Sequence, residues 1–238
     1  MIEKTQKIII DPHFCGPTQS GHGGYTAGIM AGHFEEGAEV TLRRPIPTGR
    51  PLKLFSQKTC VRLMDACEEI AIAIPKKVSV EIIEPPTFHS AKQAETFFAY
   101  SAGHLYPRCF VCGTDREEGD GFRIFPGFLP EKNFACAVWE PMAKTASVDG
   151  RVDLPYLWAV LDCPAYFGLK LGDTYVLTGK IAVEILRRSR VGDACILAGW
   201  RTGKEARKHF AASAIFDSQG DLLAKSTSVW IEPRVRGG

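Results

Sequence analysis

Apolar and polar positions along the chain alternate with two different rhythms. The stretch Gly23-Gly24-Tyr25-Thr26-Ala27-Gly28-Ile29-Met30-Ala31-Gly32 carries small and apolar residues and no charge. That pattern suits a helix buried on most sides rather than an amphipathic surface helix. Its glycines weaken helix propensity by about 1 kcal/mol each, so close packing must compensate. From Ala38 onward the rhythm shortens to β-like runs: Glu39 to Arg44, Leu52 to Gln57, Cys60 to Asp65, Glu69 to Ile74 and Lys77 to Ile83. Pro45, Pro47, Gly49, Pro51 and Pro75 punctuate them, as in an antiparallel meander. Val78, Val80 and Ile82 alternate with Ser79 and Glu81, the mark of one buried face. A helix followed by consecutive strands reads as α+β.

Pro85 and Pro86 close the last run, and a helix capped by Ser90 is expected over Ser90 to Tyr100. Residues 101–107 read as a linker. The second half repeats the plan. A strand at Phe134 to Trp139 precedes a largely apolar helix from Asp153 to Asp162, with Pro155 in its first turn. Strands follow at Tyr175 to Leu186, Ala194 to Trp200, Lys208 to Phe216 and Leu222 to Ile231, with Gly192-Asp193 and Gln219-Gly220-Asp221 as turns. Val40-Thr41-Leu42-Arg43-Arg44 with Gly49 matches Val183-Glu184-Ile185-Leu186-Arg187-Arg188 with Gly192 in type and order. Such self-similarity points to duplication of one structural unit. The expected units are residues 1–103 and 104–238.

Composition fits this picture: 45% hydrophobic and 24% charged residues are globular averages, and 238 residues accommodate two modest cores. A net charge of +2 creates no global field for nucleic acid or anionic lipid, so an anionic ligand must be met locally. Ile8, Ile9 and Ile10 are too short a run for a secretory signal, and no stretch is long enough to span a bilayer. The expectation is a cytoplasmic protein without membrane or nucleic-acid partners. Its eight cysteines are scattered through apolar segments, which reads as reduced core residues rather than a disulfide framework.

Three local features, His22-Gly23-Gly24 opening the first helix, the Arg-Arg, turn, Gly strand pairs, and Cys109-Phe110-Val111-Cys112-Gly113 opening the second half, resemble the hot-dog superfamily of acyl-CoA thioesterases. The Cys-Phe-x-Cys-Gly start is usually followed there by an Asn-Pro-x-Gly-Leu turn; here Asp115 to Gly121-Phe122 departs from it. The resemblance implies a double hot-dog: two tandem units, each a central helix wrapped by a curved antiparallel sheet, forming a pseudo-dimer within one chain. It also implies thioester hydrolysis by a carboxylate acting as base or nucleophile, with coenzyme A met only as part of the substrate and no separate cofactor. Further association into a homo-oligomer is common among such proteins.

Backbone N–H groups at a helix start are unsatisfied donors at the positive end of its dipole, so Gly24 and Tyr25 are candidates for holding the thioester oxygen. Relatives of the phenylacetate-pathway type carry an acid nine positions after the histidine. Here the residue nine after His22 is Ala31, whereas nine after Asp153 comes Asp162, in a helix where Leu154-Pro155 replaces the glycines. Sites of such dimers are composite, so His22, Gly23 and Gly24 paired with Asp162 would give one complete and one degenerate site per chain. Asp149 is the second candidate carboxylate. Plainer roles compete with each assignment: Asp162, beside Cys163-Pro164, ends or kinks a helix; His22 caps one; the glycines permit tight packing; Asp149 complements a helix dipole.

For coenzyme A phosphates the preferred cations are Arg201, Lys204 and Arg207, ahead of Arg43, Arg44, Arg187 and Arg188. Trp158 and Tyr166, with Gly23, are expected to line the acyl pocket, Tyr25 and Phe167 being further aromatic candidates. Cys109 and Cys112 amount to half a zinc site, with His89 and His104 near in sequence. No second Cys-x-x-Cys or His-x3-His completes it, so no metal is expected. A hydratase or dehydratase on the same fold would place Asp and His five residues apart, a pattern this sequence lacks. A non-catalytic acyl-CoA-binding module is the remaining alternative.

Overall fold

The computed structural model describes residues 4–98, 104–129, 132–172 and 174–233. In chain order its elements are β1 (Lys4–Ile9), α1 (Gly23–Ala31), β2 (Ala38–Leu42), β3 (Pro51–Ser56), β4 (Val61–Asp65), β5 (Glu68–Pro75), α2 (Phe88–Ala94), β6 (Gly127–Phe128), β7 (Phe134–Trp139), α3 (Leu154–Gly168), β8 (Leu177–Ile185), β9 (Cys195–Glu205), β10 (Lys208–Asp217) and β11 (Leu222–Ile231). The α+β expectation is met by one large antiparallel sheet of order β1-β3-β4-β5-β2-β8-β11-β10-β9-β7-β6. Among the described residues no helix is long and apolar enough to cross a membrane.

The order mirrors itself about the β2–β8 seam. Outward from it run β2, β5, β4, β3, β1 on one side and β8, β11, β10, β9, β7 on the other, and α1 and α3 occupy equivalent places in the chain. The two similar sequence segments lie on the seam strands, which pair with each other: Ala38 faces Val183 and Val40 faces Ile181. Glu39 on β2 ties the seam by hydrogen bonding Lys180 of β8 at 2.8 Å and pairing with Lys76.

The main core fills one side of the sheet, around α1 and α3. Buried residues on α1 include Ala27 and Met30; those on α3 run from Leu157 to Gly168. The glycines of α1 serve helix-to-helix approach. A methyl at Gly24 would stand 2.6 Å from the Trp158 carbonyl oxygen, and one at Gly28 would stand 2.6 Å from Pro155 Cα.

Four expectations need correction. The second long helix does not end at Asp162. It continues to Gly168 through Pro164, because Cys163 to Phe167 are all buried and their packing outweighs the lost backbone bond. Ser213 Oγ donates to the Leu161 carbonyl at 2.6 Å beside this interruption. Lys77 to Ile83 forms no strand; it runs across the face of the second half opposite the helices, where Val80, Ile82, Ile83 and Phe88 pack on a cluster that includes Trp200 and Phe216. Its period-two alternation comes from lying on a sheet, not from joining one. The helix expected over 90–100 starts two residues earlier, since Thr87 Oγ1 accepts from the Ser90 N–H at 3.1 Å and is the cap in place of Ser90. It gives way to a 3-10 turn at Glu95–Phe97, and residues 99 and 100 lie outside the described residues. Of the expected linker, 101–103 lie outside too, while His104 is buried and Tyr106 donates its hydroxyl to the Val176 carbonyl at 2.6 Å.

Candidate active site

His22 caps α1. Its Nδ1 accepts from the Tyr25 N–H at 3.3 Å, and its ring is almost fully buried, with Nε2 3.4 Å from Cys163 Sγ. Because α1 crosses α3 at glycine distance, the carboxylate of Asp162, in the middle of α3, reaches the first turn of α1. Asp162 Oδ2 accepts from the Gly24 N–H at 2.9 Å and lies 3.8 Å from His22 Nδ1. Asp162 Oδ1 accepts from Thr178 Oγ1 at 3.1 Å. Burial pushes the Asp162 carboxyl above the ordinary carboxylate range, against the opposing pull of His22, the Gly24 N–H and Thr178.

The Cys109 to Gly113 turn brings sulfur to the same place. Cys109 N–H donates to the Tyr106 carbonyl at 2.9 Å, Gly113 N–H to the Cys109 carbonyl at 2.9 Å, and Phe110 N–H to the Cys15 carbonyl at 2.7 Å. A side chain at Gly113 would stand 2.5 Å from the Cys109 carbonyl oxygen, so the turn requires glycine there. The turn leaves Cys109 Sγ 3.8 Å from Cys163 Sγ and Cys112 Sγ 3.2 Å from His104 Nε2, all four side chains buried. Burial alone would raise Cys109, but contacts with Cys112, Cys163 and His22 hold it well below the usual thiol range. Burial and Cys109 push Cys112 and Cys163 up. Burial would lower the His22 pKa; Cys109 and Asp162 outweigh it and the net shift is upward.

These groups open onto a cavity of about 670 Å³ lined by His22, Gly23, Cys109, Cys112, Asp162, Cys163 and Thr178, with Tyr166, Tyr175 and Trp230 among its aromatic wall. The grouping of His22, Gly23 and Gly24 with Asp162 is therefore present as direct contact between residues 138 positions apart. The other sequence candidates fall as follows. The N–H groups of Gly24 and Tyr25, expected to await a substrate oxygen, are occupied by Asp162 and His22 in this structure. Gly23 is the first-turn residue with no N–H partner among the described residues, and it lines the cavity. The Tyr25 ring stacks on Phe14 with centroids 4.0 Å apart and is not part of the lining.

Trp158 is core, packed where α3 meets α1. Asp149 sits in an exposed turn, bonded to Ser147 and the Arg151 N–H, and takes no part in the site. Arg201, Lys204 and Arg207 do not line the cavity either. Arg201 and Lys204 lie on β9, because the strand extends to Glu205, and Arg207 donates to the Glu232 carbonyl at 2.7 Å. Arg43 and Arg44 are the cations in the lining, each half-exposed and facing Glu69 and Glu68 respectively. Thr178 and Cys163 escaped the sequence reading. Neither belongs to a local motif, and only the crossing of α1, α3 and β8 gives them a role.

No family model and no curated protein sequence matches this chain. Its fold is nevertheless found among solved structures. A candidate thioesterase from Novosphingobium aromaticivorans DSM 12444 superposes with a TM-score of 0.66 at 13% identity, over 96% of this chain and 95% of that one. The tesB protein of Mycobacterium avium subspecies paratuberculosis gives 0.62 at 13%, over 96% and 93%. A candidate thioesterase II from Thermobifida fusca YX gives 0.63 at 14%, over 97% and 94%. This chain thus shares the hot-dog fold of these solved structures.

Proposed function

We propose that this protein is an acyl-CoA thioesterase built from two tandem hot-dog units, residues 1–103 and 104–238, with one working site between them. The observation that carries this reading is the Asp162 carboxylate, buried against the first turn of α1, fixed on both oxygens and facing a cavity of about 670 Å³. In this mechanism Asp162 takes a proton from a water whose oxygen attacks the thioester carbonyl carbon. The Gly23 N–H, at the positive end of the α1 dipole, steadies the developing oxyanion. The tetrahedral intermediate then collapses, the carbon–sulfur bond breaks, and Asp162 returns its proton to the departing coenzyme A thiolate. Tyr166, Tyr175 and Trp230 flank the acyl group, and Arg43 with Arg44 at the rim meets the phosphates.

The pseudo-symmetry explains the single site. Ala31 holds the place on α1 that Asp162 holds on α3, and Leu154-Pro155 stands where α1 has Gly23-Gly24. The test is coenzyme A release, measured with a thiol reagent across short, long, branched and aromatic acyl-CoAs. Asp162→Asn should lower turnover by about 10²- to 10⁴-fold while circular dichroism stays that of the parent. Parent-like turnover in that variant, or no release from any substrate by the wild type, would overturn the reading.

A further inference from the structure

We infer that His22 Nε2, Cys109 Sγ and Cys163 Sγ form a three-ligand site for a tetrahedral divalent metal, zinc by the chemistry of the donors, with its fourth vertex open to the cavity. The three donor atoms lie within 4.8 Å of one another and all three residues are buried. Zinc–sulfur bonds of about 2.3 Å and zinc–nitrogen bonds of about 2.0 Å put tetrahedral edges at about 3.8 Å between sulfurs and about 3.6 Å between sulfur and nitrogen. The separations here are 3.8 Å for Cys109 to Cys163 and 3.4 Å for Cys163 to His22. A donor triangle of metal-site size is therefore already formed.

The donors come from the cap of α1, the Cys109 to Gly113 turn and the middle of α3, so only the fold assembles them. Two thiolates and an imidazole suit a borderline-soft, tetrahedral ion and disfavour magnesium or calcium. Two thiolates also neutralise a divalent charge, which removes the cost of burying either partner alone. Cys112 Sγ touches Cys109 and Cys163 as well as His104 Nε2, 3.2 Å away; with Cys112 kept on His104, the fourth vertex is left to water or a substrate oxygen. Two cysteines and one histidine with an open vertex is a catalytic rather than structural pattern.

Metal on Nε2 requires the proton on Nδ1. The Tyr25 contact, already long at 3.3 Å, then gives way to Nδ1–H donating toward Asp162 Oδ2, now 3.8 Å off. Carboxylate, histidine and metal would stand in series, the usual second-shell support for a ligating imidazole.

This inference does not depend on the thioesterase reading, because metal content is measured on resting protein. Reduced, chelator-treated wild type should bind one equivalent of zinc. With cobalt it should show one equivalent and the intense thiolate-to-metal charge-transfer absorption of a tetrahedral site. Cys163→Ser and Cys109→Ser should lose that absorption, whereas Cys112→Ser and Cys60→Ser should keep it. Zinc should also shield Cys109 and Cys163 of the folded wild type from alkylation, a readout that needs no variant to fold. Folded wild type that binds neither ion stoichiometrically, or equal alkylation of both residues with and without zinc, would overturn the site. Loss of metal in Cys112→Ser would overturn its open vertex.

Discussion

The two halves of the sheet differ in the face turned away from the helices. In β3 and β4, Leu52, Leu54, Val61 and Leu63 face the core while Lys53, Phe55, Arg62 and Met64 face outward, the last three lining a depression with Gln57 and Cys60. In Cys195–Trp200 of β9 and Ala211–Phe216 of β10 both faces are buried. Leu197, Ala211 and Ile215 join the core around the helices, and Ile196, Ala198, Trp200, Ala212, Ala214 and Phe216 pack beneath residues 78–98. A segment that follows the first half in sequence thus covers the second. Strands of the same pairing order can read as alternating or as continuously apolar, depending only on what lies across them.

The largest expected effect comes from unbalancing that contrast. Trp200→Ala should cost about 3–5 kcal/mol in denaturant unfolding, since a buried indole leaves a cavity under the covering segment. Phe55→Ala, at an equivalent outward position of the uncovered half, should cost only about 1 kcal/mol. Equal costs would show that the outward face of the first half is buried in solution too. Next, Gly24→Ala forces a methyl to within 2.6 Å of the Trp158 carbonyl and 2.8 Å of Asp162 Cβ. It should destabilise by about 1–3 kcal/mol and depress turnover beyond what the lost stability explains, because it displaces Asp162. An intact melting temperature would show that the helices separate easily.

The smallest effect concerns the seam between halves. Burial would raise the Glu39 carboxyl, but Lys180 and Lys76 outweigh it and hold it below its ordinary value of 4.5. A depressed folded-state pKa stabilises above the unfolded value, and the gain disappears as pH falls through the folded one. Glu39→Gln should therefore cost about 1–2 kcal/mol at pH 7, and its melting temperature should converge on the wild-type value as pH falls through the lowered Glu39 range. A constant difference across pH would mean that shape rather than charge matters at this position.

Much of this architecture was legible along the chain. Phe134–Trp139 and Leu222–Ile231 are strands over the residues their patterns indicate, and α1 begins at the His22 cap. The site was legible where a local motif announced it: His22-Gly23-Gly24, and an acid at the matching spacing in the second helix. It was illegible where chemistry depended on a crossing. Arg201, Lys204 and Arg207, the cations preferred for coenzyme A phosphates, stand on or just after β9 and away from the cavity, and Cys109-Cys112 looked like half a motif because its companions, His22 and Cys163, come from distant segments.

Sequence by itself determined most of the elements, because capping, turn chemistry and apolar period act within a few residues of one another. It also determined the repetition of helix and strands in the two halves. The tertiary structure alone decided that α3 runs past Pro164, that residues 77–83 cover a sheet instead of extending one, and that Asp162, Thr178, His22, Cys109 and Cys163 share one buried place. Those outcomes follow from burial and close approach between segments up to 141 residues apart, interactions whose energies exceed local propensity and leave no local periodicity to read.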